Sequence, residues 1–270
     1  MTSLAATLAV DSRGPSGLYI ITDSRITWLT SDKRWDAGQK TFSARKTPDI
    51  FGFCGNAFFP PAILRQLIDQ IDTGLFFADN LESIKRHSKM MRIFRASIRQ
   101  QAFTPISSFS VFHGTRDGEL MSSRFRLWQT SYKVATQRWT DKEHDLSQNH
   151  SCLAHLDGTG KNVIEKRRND WVQTSAKSTS RAAIWAFCDA LGSGEDQFSG
   201  GAPQLVGLWR KEPAQNFGFL WNGRRYLSGL EVARNSSWDA VHWFNHLFER
   251  CDGRTGNRLK SAQRHIKPES

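Results

Sequence analysis

Asp196-Gln197-Phe198-Ser199-Gly200-Gly201 is the stretch on which the reading of this chain turns. It sets a carboxylate three residues ahead of a hydroxyl and two glycines. The alanine-rich run Ala182–Ala186 before it reads as a helix, and Gln204–Arg210 (QLVGLWR) after it as a strand. Ser-Gly-Gly alone is an ordinary turn. A helix, then Asp and Ser-Gly-Gly, then a strand at once is a far less common order.

Working outward, residues 3–10 (SLAATLAV) and 18–23 (LYIITD) read as two strands joined through DSRGPSG. Short strands follow at 41–45 and 49–55. Ile63, Leu64, Leu67, Ile68 and Ile71 then recur at helical spacing over 61–71, and a second helix is expected from about Asn80 to Gln101. Strand signals return at 107–113, 120–128, 131–136 and 151–156. Helices are predicted at 160–172 and 179–191, strands at 204–210 and 216–221, and a last helix at 238–249. Strands alternating with helix pairs predict an α+β fold: a four-layer αββα sandwich with two antiparallel sheets between the helix pairs. The expected domain spans residues 2–230, with an atypical polar insertion at about 128–150. Residues 231–270 are expected to form a C-terminal helix and a basic tail.

Composition narrows the function classes. With 270 residues, 39% hydrophobic and 23% charged, the chain can bury a sizeable core. Ten Trp and eighteen Phe are expected mostly in core or interface. The net charge of +11 comes partly from Arg250, Arg254, Arg258, Lys260, Arg264 and Lys267, and partly from Lys161, Lys166, Arg167 and Arg168. No nucleic-acid-binding motif accompanies these cations, so solvated faces are expected and a nucleic-acid partner is disfavoured. Cys54, Cys152, Cys188 and Cys251 form no CxxC pair and read as buried free thiols. The opening MTSLAATLAV lacks a basic region, and no segment resembles a membrane span, so a reducing cytoplasm is expected.

Five short segments, in order, resemble the active-site segments of proteasome β subunits and their bacterial relatives. They are Met1-Thr2-Ser3-Leu4, Thr22-Asp23-Ser24-Arg25, Gln39-Lys40 and Gly55-Asn56-Ala57, then Gly158-Thr159-Gly160 together with Asp196–Gly201. The resemblance covers about residues 2–210, and Asp196–Gly201 is its most specific part. It implies an N-terminal-nucleophile (Ntn) hydrolase: a threonine-type endopeptidase with Thr2 as nucleophile once Met1 is removed. A threonine hydroxyl is a poor nucleophile without a base, and an α-amine with a free pKa of about 8 can take its proton. The resemblance further implies that Lys40 keeps a charge beside Thr2 and Asp23 fixes Lys40, while the Gly55 N–H stabilises the oxyanion. Thr159, Asp196 and Ser199 would surround the α-amine and the catalytic water. Arg25, Gly158, Gly160, Gly200 and Gly201 would support them.

No cofactor and no metal are implied. The expected partners are a protein or peptide substrate and further copies of the chain in a closed homo-oligomer. An ATP-driven unfoldase is compatible with this reading but not encoded.

Two departures stand out. Thr2 to Asp23 is about five residues longer than the family spacing, an excess the first hairpin connection can absorb cheaply. Thr7 is the rival nucleophile. The chain also continues well beyond residue 201. An Ntn amidohydrolase acting on a small amide, or a catalytically silent scaffold with a basic surface, are the competing functions. His242 and His246, at i,i+4 on the last predicted helix, read as surface histidines rather than metal ligands. Asp157-Gly158-Thr159-Gly160-Lys161 lacks the rest of a phosphate loop.

Overall fold

A computed structural model describes residues 2–28, 33–78, 81–100, 107–147 and 149–266. Met1, Asn80, Gln101, Gln148 and Lys267 lie outside the described residues.

The chain opens with β1 (Ser3–Asp11), β2 (Gly14–Thr22), β3 (Ile26–Thr27), β4 (Arg34–Trp35), β5 (Thr41–Ser43) and β6 (Asp49–Gly55). Two helices follow, α1 (Phe59–Asp72) and α2 (Ser83–Arg99), and then β7 (Phe109–Asp117), β8 (Arg124–Lys133), β9 (Arg138–His144) and β10 (Cys152–Gly158). Helices α3 (Lys161–Val172) and α4 (Ser180–Ser193) precede β11 (Gln204–Trp209) and β12 (Gln215–Trp221). The chain finishes through β13 (Arg224–Leu227), β14 (Leu230–Glu231), β15 (Trp243–Asn245) and β16 (Arg250–Cys251).

The large sheet runs in the order β10-β1-β2-β11-β12-β13-β14, with β15 and β16 branching from β12. The second sheet is β5-β6-β7-β8-β9. Pairing is antiparallel throughout except where β15 lies parallel to β12. Alternation along the strands divides their side chains between cores. Leu4, Ala6 and Leu8 of β1 and Leu18 and Ile20 of β2 meet Ile50, Phe112 and Leu127 between the sheets. Ala5, Tyr19 and Ile21 face the other way, onto Ile184, Trp185 and Phe187 of α4. Phe51, Phe53 and Val111 pack under Leu64, Leu67, Met90 and Phe94 of α1 and α2. These three cores separate four layers: α1 and α2, the five-stranded sheet, the large sheet, then α3 and α4.

Local chemistry sets the helix ends. The Asn56 carboxamide oxygen accepts from the Phe58 and Phe59 N–H groups at 2.9 and 2.8 Å, and Pro60 sits in the first turn of α1. Thr179 caps α4 by accepting from the Ala182 N–H at 3.3 Å.

Beneath α2 lies a buried polar cluster. His113 accepts or donates at both ring nitrogens, meeting His87 (Nδ1 to Nδ1, 3.0 Å) and Asp49 (2.9 Å). Arg86 reaches Asp49 at 3.2 Å, and His87 reaches Asp141 of β9 at 3.1 Å. The His87 and Trp128 rings stack at 4.6 Å.

Three expectations are corrected. Residues 238–249 are not a helix: a short 3₁₀ turn at Trp238–Ala240 leads into β15. Burial of Trp243 and Phe244 and pairing with β12 override a helical pattern, and the Asn245 side chain closes the next turn by accepting from Leu247 and Glu249 N–H groups. His242 and His246 therefore share no helix face. The polar stretch 128–150 is mostly not a loop but the β8–β9 hairpin, whose outer strand is an exposed sheet edge and so reads as polar. The excess between Thr2 and Asp23 does not sit in a loop either. It lengthens the hairpin, whose turn is Ser12–Arg13 and whose register shifts between Ala9 and Val10.

Candidate active site

The site grows from the start of β1. Leu4 pairs with Thr22 of β2, and Ser3 pairs with Gly158 of β10, so the chain end is clamped from both sides. Thr2 is buried, and its carbonyl accepts from the Thr159 N–H at 2.9 Å. Gly158 has φ +93, and a Cβ there would stand 1.7 Å from the Thr2 oxygen, so only glycine permits this approach.

Asp23, where β2 ends, collects four donors. Its Oδ1 accepts from the Lys40 ammonium at 2.8 Å and the Ser3 N–H at 2.9 Å. Its Oδ2 accepts from the Arg25 and Gly200 N–H groups, both at 3.0 Å. Both members of the Lys40–Asp23 pair are 0% exposed. Desolvation costs several kcal/mol per ion in such a place, and only full hydrogen bonding offsets it. Removing either partner strands a buried charge.

A second chain of polar groups reaches the same strand from the α3–α4 side. The Ser3 and Ser199 hydroxyls meet at 2.7 Å. Ser199 donates to Asp196 Oδ2 at 2.7 Å, and Thr159 donates to the same oxygen at 2.8 Å. Gly160 leaves room for this contact, since a Cβ there would lie 1.9 Å from the Ser3 hydroxyl. Arg25 braces the corner with two bonds to Asp36 (2.7 and 2.8 Å) and contacts to the Gln197 and Ser199 carbonyls. That hydrogen bond, with the charge behind it, holds the Asp36 carboxyl below its usual range. The Ser24 hydroxyl, beside Gly201, donates to the Asp36 and Ala202 carbonyls.

Gly55 ends β6 with φ +96, next to Asn56 at the head of α1. Burial pushes the neighbouring Cys54 thiol well above its ordinary pKa, which keeps it protonated and a poor nucleophile. A cavity of about 490 Å³ opens between the segments that carry Lys40 and Gly55. Gln39 and Asn56 stand on its two sides, and Ile26, Trp28, Trp35, Phe42 and Phe58 make its walls apolar.

The structure thus brings Thr2, Asp23, Lys40, Thr159, Asp196, Ser199, Arg25, Gly158, Gly160 and Gly200 into one connected network. Gly55 stands on the neighbouring sheet. Thr7 lies apart, wholly buried within β1, with its hydroxyl donating to the Cys152 carbonyl at 2.9 Å. Sequence reasoning missed three members: Ser3, Asp36 and Gln204. Ser3 was legible in principle as the hydroxyl next to Thr2, and Gln204 as an amide opening a strand of otherwise apolar residues. Asp36 carried no local signal.

The Asp23 carboxylate can hold an ammonium in place, and the hydroxyl chain can relay or orient a proton near the chain start. Among the described residues no helix is long and apolar enough to cross a membrane. Comparison of the chain with protein-family models and with curated proteins finds no match to either.

Proposed function

We propose that this chain is a threonine peptidase of the Ntn-hydrolase class, proteasome-like in fold, with Thr2 as nucleophile after Met1 is removed. The observation that carries the reading is the meeting of two polar networks, Lys40–Asp23 and Ser199–Asp196–Thr159, on Ser3, the first residue of β1 and the neighbour of Thr2. The succession of helix pair, two sheets and helix pair supports the αββα Ntn-hydrolase fold.

In the reaction, the Thr2 hydroxyl oxygen bonds to the substrate's carbonyl carbon while its proton passes to the Thr2 α-amine. The amine returns that proton to the leaving nitrogen as the peptide bond breaks, leaving an ester on Thr2. Water then attacks the ester, again losing a proton to the amine, and restores the hydroxyl. Lys40, held by Asp23, supplies fixed positive charge, and the Gly55 N–H stabilises the oxyanion. The apolar cavity between Gln39 and Asn56 accepts a large apolar side chain of an extended peptide, which favours a peptide over a small amide. The working form is a closed homo-oligomer in the cytoplasm, and an ATP-driven unfoldase is compatible with it.

Intact mass tests the reading. The purified protein is expected to lack Met1 and to gain one adduct, mapped to Thr2, from a peptide epoxyketone or a β-lactone. Retention of Met1 in the native host, or full peptidase activity in Thr2→Ala, would refute it.

A further inference from the structure

Gln204 is the first residue of β11 and is 1% exposed. Its side-chain oxygen accepts from the Lys40 N–H at 2.9 Å, and its nitrogen donates to the carbonyls of Asp23 (3.1 Å) and Gly38 (2.7 Å). One carboxamide therefore ties the backbone at Asp23, where β2 of the large sheet ends, to the segment that carries Lys40 into β5 of the other sheet. An amide is the group that suits this place, because it offers an acceptor to one N–H and two donors to two carbonyls. A carboxylate has no donor, and an aliphatic chain would leave all three backbone groups unpaired.

The amide is itself held by the region beyond the predicted motifs. Gly229, at φ +84 in the turn between β13 and β14, presses on it: a Cβ there would lie 2.9 Å from the Gln204 nitrogen and 2.8 Å from the Ser24 Cβ. The Asn216 side chain of β12 donates to the Ser228 hydroxyl at 2.8 Å and fixes that turn.

We propose that Gln204 is a positioning residue that sets the distance between Lys40 and Asp23, and that the Ser228–Gly229 turn holds Gln204 in place. This assignment rests on the hydrolase reading above. Residues beyond β11 then act on the site from behind, without touching substrate.

The test uses the full chain and a β-lactone that acylates N-terminal threonine, with the maximal acylation rate and half-saturating concentration measured separately. Gln204→Met is expected to lower the maximal rate about 10- to 100-fold per folded molecule, with half-saturation changed less than about twofold, as for a small misplacement of reacting groups. Gly229→Ala is expected to act in the same direction and more weakly. Gln204→Glu gives a signature that a purely structural role would not. Its rate relative to wild type should rise as pH falls, because a protonated carboxyl regains one donor, whereas Gln204→Met should show no such recovery.

A wild-type maximal rate in Gln204→Met overturns the assignment, as does a loss confined to half-saturation. Where Gln204→Met does not fold, Gly229→Ala and the pH profile of Gln204→Glu decide by the same criteria. Absence of any Thr2 adduct in wild type overturns the hydrolase reading, and this assignment with it. An adduct in wild type with unaltered variants overturns this assignment alone.

Discussion

Two buried charge networks lie on the five-stranded sheet's opposite sides, and they are built differently. Asp23 takes its four donors from β1, the Lys40 segment, its own corner and the Gly200 loop, so each donor comes from a different stretch of chain. Asp49 instead belongs to a cluster under one helix, in which Arg86 and His87 of α2 meet His113 of β7. The Asp23 network surrounds a chain start, and the Asp49 network pins a helix to a sheet. Both bury charge, so burial by itself does not tell the two kinds of network apart.

Substitutions at the two carboxylates should therefore diverge. Asp23→Ala is expected to cut the rate of Thr2 acylation by more than about 100-fold and to cost about 3–5 kcal/mol of stability, because it strands Lys40 in the interior. Denaturant melts combined with intact-mass labelling would show both effects. Asp49→Ala should cost a similar 3–5 kcal/mol or so by stranding Arg86, yet leave the acylation rate per folded molecule unchanged. A matching loss of rate there would erase the distinction between the two networks.

Acid sharpens the same contrast. Burial, outweighing the Asp49 hydrogen bond, lowers the His113 pKa from 6.5 to about 4. Between those values the unfolded chain binds a proton that the folded chain refuses, so stability falls as pH falls from 6.5 to 4. The loss should approach about 3 kcal/mol for this residue. Asp49 acts the same way at lower pH. Burial opposes its ionisation, but His113 and Arg86 overcome that and hold its carboxyl below the usual range. Melts in denaturant across this range should show the slope in wild type and a shallower one in His113→Asn.

The mildest effect is expected at the corner. Arg25→Lys keeps the charge but loses the fork to Asp36, so acylation should slow by about threefold to tenfold, with a stability loss near 1 kcal/mol. Unaltered kinetics would place Arg25 with the structural bracing rather than with the proposed Thr2 chemistry.

Much of this was legible because the network around Thr2 is written in short ordered segments. Asp196–Gly201 sits between a helix and a strand, as its sequence implied, and α1 through α4 follow the apolar periodicity within a few residues. Legibility failed where long-range packing decides local form. Residues 238–249 were expected as a helix, yet Trp243 and Phe244 are buried beside β12 in a parallel strand that no local pattern announces. Strand β9 was hidden by its charge, since a mostly exposed edge whose inner face carries Trp139 and Asp141 shows no apolar alternation. Gln204 stood out only as an amide in an apolar strand, because its partners Asp23 and Lys40 are distant in sequence, and Asp36 gave no local signal of its pairing with Arg25.

The position of β1 within the large sheet also governs when the site can exist. Its first residue pairs with Gly158, and its neighbour β2 pairs with Gln204, so the β1–β2 hairpin is flanked on both sides by chain made much later. Closing such large loops makes this pairing slow and places it late in folding. During synthesis, the constellation around Thr2 stays open until β11 has emerged and docked. The end of the molecule that carries Thr2 is therefore assembled only after most of the domain has been made.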